Sequence, residues 1–350
     1  YIQFTKFGIV IFVLLTGLAG YGVGYQSETV FNFVHLAKTL LGLFFLSSGK
    51  ILWNILLGKD GPHFSSSVTC LERWSYYYLL GSLAASLFWL CAGTLGVLNI
   101  YTAGILCVLG IALFAFDFMR NKIIQDLNKS FNLWKNETSL KEKSLFIALL
   151  TVLVAFSITS VQSQVYSDTL LTHLSLPNFY IQHGRVFCYP CNIYTYFPQN
   201  TEMLVMWPLL LKSEVAAALL MIGFLSALAF FLLGFIQRIS SNIFSFSFAL
   251  IVITTPAISW FSTTIKNDFP SAVFLFAHYL LLIEGLDRQD TDPSLSKNLL
   301  LLSGLCAGGA IGHKLTAAIP ALISGAIIGT LCLKSRTGFK LTGYFLIGSF

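Results

Sequence analysis

Apolar runs of roughly 18 residues or more recur from one end of this chain to the other, and few folds can accept them. Each run is long enough to cross a hydrocarbon core as a helix that satisfies its own backbone. A soluble domain carries about 25% charged residues. This chain carries 10%, and 56% of its residues are hydrophobic. The expected fold class is therefore all-α, a polytopic transmembrane helical bundle of about 10 or 11 spans. We place spans near 7–25, 36–57, 76–98, 100–119, 144–163, 214–236, 242–262 and 269–286. A short apolar pair follows at 298–312 and 315–333, then a run from 341 too short to span.

The formal charge of +6 says little about nucleic acid in such a chain, and no nucleic-acid partner is expected. Its distribution reports topology instead. The loop between 119 and 144 carries Arg120, Lys122, Lys129, Lys135, Lys141 and Lys143, so the positive-inside rule makes it cytoplasmic. Alternation then puts 164–213, Lys266–Asp268 and His313–Lys314 outside, with Arg238 and 287–297 inside. The sequence divides into a four-span N-terminal module (1–119), the basic loop (120–143) and a second membrane module (144–350). The run from Phe7 lacks a clear cleavage site and reads as a first span. The chain opens on Tyr1 and closes inside an apolar run, which suggests a piece of a longer protein. The two sequons at Asn128 and Asn136 fall in the inner loop, where no glycan is expected.

Between Val165 and Glu202 lies the one long, chemically rich interruption. It holds Asp168, His173, His183, Arg185, a Cys-x-x-Cys (Cys188, Cys191) and a run of tyrosines. Two more loaded positions fall on the same side: Lys266 with Asp268 where a span begins, and His313 with Lys314 at a break in the chain. Ionisable groups at a bilayer are costly and tend to line a protein or water-filled cavity. A Gly-rich turn at Gly308, Gly309 and Gly312 offers a place for the backbone to break.

Plainer readings exist for each. Asp168 and Asp268 could cap helices, the latter in an Asp-x-Pro start. Asp168 and His173 fall on neighbouring but not identical faces of an α-helix, which argues against a direct metal pair. Thr169 to Tyr180 suits an interfacial helix that Pro177 ends or bends. Tyr180, Tyr189, Tyr194 and Tyr196 suit an aromatic belt at the headgroups. Glu202 could be a first-turn carboxylate favoured by the helix dipole. Lys266 and Lys314 could snorkel, although a lysine at this boundary also suits a phosphate, as does Arg185. Cys188 and Cys191 leave a disulfide, free thiols or a zinc site open. No cofactor is fixed, and a divalent cation stays open. No Walker loop, dinucleotide fingerprint or His-Glu-x-x-His motif is present.

Four segments carry a resemblance: SDTLLTHLSLPNFYIQHGR (167–185), FPQNTEML (197–204), IKNDFPSAVFLFAHYLLL (265–282) and GGAIGHKLTAAIPALI (308–323). Over about 144–333 the chain resembles the GT-C class of multi-pass membrane glycosyltransferases, in the dolichyl-phosphate-mannose–protein mannosyltransferase-like and aminoarabinose-transferase-like group. The resemblance implies a polyprenyl-phosphate-linked sugar donor and a lipid, glycan or protein acceptor. It maps the catalytic carboxylate onto Asp168 and a phosphate-facing lysine onto Lys314. Substrate-binding roles are expected for His173, His183, Arg185, Glu202, Lys266, Asp268, His313 and Lys314. Four spans precede the acidic loop where the family usually has one, which makes Glu28, after the first span, a rival carboxylate. The setting would be the plasma membrane of a bacterial cell envelope or the endoplasmic reticulum of a eukaryote. A transporter or flippase is the main alternative, and a non-catalytic membrane subunit the next. Charges at helix ends and clean span middles favour the enzyme.

Overall fold

The computed structural model describes residues 41–57, 69–120, 139–161 and 166–332, together with Phe345 and Gly348. The expected first span, Glu28 and most of the basic loop lie outside the described residues. Every regular element among the described residues is helical. The order begins α1 (Leu41–Leu57), α2 (Cys70–Thr94), α3 (Ile100–Arg120) and α4 (Leu140–Ser160). A π-helical turn (Thr169–Leu174) runs into α5 (Ser175–His183), and a 3-10 turn (Ile193–Tyr196) precedes α6 (Asn200–Leu210). Then come α7 (Glu214–Ile239), α8 (Asn242–Thr254), α9 (Pro256–Thr263), α10 (Asp268–Asp287) and α11 (Pro293–His313). A 3-10 turn (Leu315–Ala317) leads to α12 (Ala318–Cys332). Among the described residues five helices are long and apolar enough to cross a membrane, and the bent pair α8–α9 makes a sixth. The chain is an integral, multi-pass helical membrane protein.

Helix α7 is the axis. It is apolar and buried around nearly its whole circumference, as a helix enclosed by others must be. Helix α2 lies against it through Tyr76 on Phe231 (4.7 Å between ring centres) and Tyr78 on Phe224 (5.2 Å). Two hydroxyls fix the register: Tyr78 donates to the Leu220 carbonyl at 2.9 Å and Ser75 to that of Ala227 at 2.9 Å. Gly223 makes room, because a Cβ there would collide with the Tyr78 ring. Trp207 of α6 donates to the Ala103 carbonyl of α3 at 3.2 Å, so the N-terminal helices share one apolar core with those after the basic loop.

Helix starts follow sequence signals that set where each span enters. Thr69 with Glu72, and Ser139 with Glu142, form capping boxes that begin α2 and α4 ahead of their apolar runs. Glu72 and the last turn of α7 then meet: Arg238 bonds Glu72 Oε1 at 2.7 Å and Glu284 Oε2 at 3.1 Å, and Arg288 bonds Glu284 Oε1 at 3.2 Å. The starts of α2, α4 and α8 and the ends of α7 and α10 thus gather at one end, with Asn242 donating to Glu142 at 2.9 Å. Alternation puts all of them inside.

Three expectations are corrected. The span at 242–262 is bent by 66° at Thr255–Pro256, since proline lacks the ladder donor and pushes Thr255 to an extended conformation (φ −56°, ψ 130°). The glycines at 308–312 are no turn: α11 runs unbroken from Pro293 to His313, started by Asp292, which accepts from Leu295 N at 3.1 Å. The chain breaks after them, at Lys314. Span middles are not clean either. His278 is fully buried in α10, with Nδ1 2.8 Å from Ser303 Oγ and Nε2 3.0 Å from Ser324 Oγ.

Candidate functional site

At the opposite end of the bundle, Pro177 decides the local geometry. It has no N–H for the His173 carbonyl four residues back, and the helix ahead of it widens into a π turn over Thr169–Leu174. Helix α5 continues past Pro177 and ends at Gly184, whose φ of +68° favours a residue without a side chain. The wide turn brings residues five apart into line, so His173 Nε2 stands 3.9 Å from Asp168 Oδ2. An α-helical reading of that spacing separated them.

Asp168 caps nothing: its carboxylate bonds no backbone N–H at the start of the turn. Oδ1 accepts from Thr172 Oγ1 at 3.2 Å, and Oδ2 lies 3.3 Å from Lys266 Nζ. Lys266 also sits over the Trp260 ring at 5.0 Å, and Trp260 packs edge-on to Tyr166 at 5.5 Å. Thr169 donates to the Ile265 carbonyl at 3.2 Å, which ties the π turn to the segment carrying Lys266. The Asp168 side chain is 52% exposed. Partial burial raises its carboxyl, but the electrostatic pull of His173 and then Lys266 outweighs that and holds it below the ordinary value. It is a solvent-facing carboxylate flanked by the Lys266 ammonium and the His173 ring.

Behind it lies a dry polar layer built on the first turn of α6. His173 Nδ1 lies 2.7 Å from Glu202 Oε1, with both side chains buried. Next to Glu202, Thr201 Oγ1 lies 2.7 Å from Nδ1 of buried His313. Asn200 reaches the Gly309 carbonyl at 3.5 Å, and Gly312 is a glycine because a Cβ there would collide with the Asn200 side chain. Gly312 thus receives α6, while Gly309 makes room for the Phe274 ring of α10. One residue beyond His313, Lys314 Nζ pairs with Asp268 Oδ1, each side chain about one third exposed. Asp268 thus binds a lysine, where a cap was the plainer expectation.

The chain of contacts joins seven of the nine sequence-predicted residues: Asp168, Lys266, His173, Glu202, His313, Lys314 and Asp268. His183 and Arg185 stand apart from it. The His183 ring packs on Phe179 (4.3 Å) with Nδ1 2.8 Å from the Phe179 carbonyl, and Arg185 covers Phe187 at 5.1 Å. Glu202 and His313 are buried, so neither can meet a substrate directly as things stand. Cys188 and Cys191 are exposed free thiols. Tyr189, Tyr194 and Tyr196 are exposed, as a belt would be, but Tyr180 is fully buried and burial pushes its phenol up to about 12. Among the described residues no group of three His, Cys, Asp or Glu is placed to hold a metal ion.

No family model and no solved structure matches the chain. A stretch of 54 residues, 15% of the chain, is 52% identical to protoheme IX farnesyltransferase of Bdellovibrio bacteriovorus. It covers 18% of that protein, so the chain spans less than a fifth of the length of this curated relative.

Proposed function

We propose that this chain is a membrane glycosyltransferase of the GT-C kind, which moves a sugar from a polyprenyl phosphate to an acceptor hydroxyl on the extracytoplasmic face, with inversion. The observation that carries the reading is Asp168: a half-exposed carboxylate at the outer end of the bundle that performs no capping and is held between Lys266 and His173. Such a group is set up to take a proton from an approaching hydroxyl. As the acceptor oxygen attacks the anomeric carbon, the lipid phosphate leaves with the bonding electrons. Cations at the same end would steady its growing charge. Lys266 is nearest to the base. Lys314 can do the same by exchanging Asp268 for a phosphate oxygen, and Arg185 presents a guanidinium at the exposed surface. The acceptor class, lipid, glycan or protein, is left to experiment.

The short match to a protein named for farnesyl transfer favours a second reading, in which the prenyl chain itself is the group moved. Both readings share a prenyl-bearing substrate. A polyprenyl-phosphate sugar labelled separately in sugar and lipid distinguishes them. Proteoliposomes of the chain should move the sugar label to acceptor and leave the prenyl label as polyprenyl phosphate. The variant D168N should lose that transfer while keeping its melting temperature. Full transfer by D168N would remove Asp168 from the chemistry, and movement of the prenyl label would favour the second reading.

A further inference from the structure

Glu202 and His173 form a buried carboxylate–imidazole pair placed directly behind the proposed base. With Glu202 as the acceptor, the 2.7 Å contact puts the His173 ring proton on Nδ1. The other ring nitrogen, Nε2, then presents its lone pair toward Asp168 Oδ2, 3.9 Å away. Three groups in this order, one orienting carboxylate, one imidazole and one reacting group, share the logic of a charge-stabilising triad. The groups facing His173 are Asp168 from the π turn and Glu202 from α6, and Lys266 faces it from across Asp168. Glu202 Oε2 is buried without a hydrogen-bond partner in the protein. Burial of that kind is expensive. Keeping a carboxylate there is understandable if its charge is needed beside an imidazole that becomes cationic.

We infer that His173 is a proton relay for Asp168 and that Glu202 is the positioning residue that orients and charges it. This rests on the transfer reading above. In the step, the acceptor O–H bond breaks as its oxygen bonds the anomeric carbon, and the proton passes to Asp168. From there it moves to His173 Nε2, which gives an imidazolium paired with ionised Glu202. Asp168 is restored as a carboxylate, and the imidazolium later releases the proton to water.

The test uses the full chain in nanodiscs with ¹⁵N-labelled histidine, beside kinetics with a polyprenyl-phosphate sugar. Neutral His173 should carry its proton on Nδ1, and D168N should move the His173 Nε2 resonance. In E202L the tautomer preference should be lost and kcat should fall on the order of tenfold, less than the ~10² of a direct acid–base group, with KM for the donor unchanged. E202Q, whose amide oxygen still accepts from Nδ1–H but brings no charge, should keep the tautomer and recover only part of the rate. A proton found on Nε2, or an Nε2 resonance indifferent to D168N, overturns the relay. A wild-type chain with the expected resonances but no sugar transfer supports the coupled triad and overturns the transfer reading, so the two failures are distinguishable.

Discussion

At the end of the bundle that charge alternation assigns to the inside, Arg238 forks between Glu72 and Glu284, and the Glu72 side chain is 1% exposed. At the outer end Lys266 and His173 flank Asp168, whose side chain is 52% exposed. The residue types are alike; what differs is how much each carboxylate is used up. Glu72 spends its oxygens on its cap residue Thr69 (Oε2 to the backbone N–H at 2.7 Å) and on Arg238, and nothing can reach it. Asp168 keeps open solvent on one side, with Lys266 and the His173 ring arranged on the other. The first arrangement locks three helix ends together, and the second leaves a charge ready for a visitor.

The largest effect should come from breaking the inner lock. Replacing Arg238 with alanine strands Glu72 in the dry interior, and losing one partner of a buried pair costs about 3–5 kcal/mol. Thermal unfolding in detergent should show a steep loss of stability, and any loss of transfer should follow the loss of fold. At the outer end, Lys266→Met should act on pH dependence. The Asp168 carboxyl is held below its ordinary value, so it stays ionised until pH falls through that lowered value, and its ion-paired contribution disappears there. Removing Lys266 removes part of that depression. The acid limb of the activity profile should therefore move to higher pH, with neutral-pH stability nearly unchanged.

Smaller effects separate the second outer pair from the first. Lys314 and Asp268 are each about one third exposed, so the pair should contribute no more than about 1 kcal/mol to stability. Lys314→Met should raise KM for the donor lipid about fivefold, equivalent to about 1 kcal/mol of lost phosphate contact. Asp268→Asn should leave KM the same or lower it, because the ammonium is freed; a rise would make the pair structural. The smallest changes belong to His183→Ala and Arg185→Ala. Their partners are Phe179 and Phe187, and stability in each should stay within about 0.5 kcal/mol. A large loss of donor binding in Arg185→Ala would extend the site to α5.

Much of this was legible in the sequence because charge in a membrane chain is sparse and topology is periodic. Asp168, Lys266, Asp268 and Lys314 were expected at one end from the positive-inside rule, and the bonded chain through α6 now joins them. What was not legible depended on departures from the regular helix. The Asp168–His173 contact needs residues five apart to face each other, which only the π turn before Pro177 allows. Gly309 and Gly312 read as a break, yet they make room for Phe274 of α10 and Asn200 of α6, because a glycine's use depends on what packs against it. Glu72 was missed although Thr69 stands three residues before it in a capping-box pattern, and Arg73 beside it drew the stretch into a loop. His278 was lost among apolar neighbours; its partners Ser303 and Ser324 are 25 and 46 residues away in sequence.

The contrast between a carboxylate that holds the fold and one proposed to meet a substrate comes down to a single substitution, Asp168→Asn. Its oxygen and amide nearly fill the same space and leave the packing of the π turn intact. Sugar transfer from a polyprenyl phosphate in proteoliposomes, read beside the melting temperature of the same sample, should fall by about 10²–10⁴ with no thermal shift. Transfer at the wild-type rate in a protein that melts at the wild-type temperature would contradict the account.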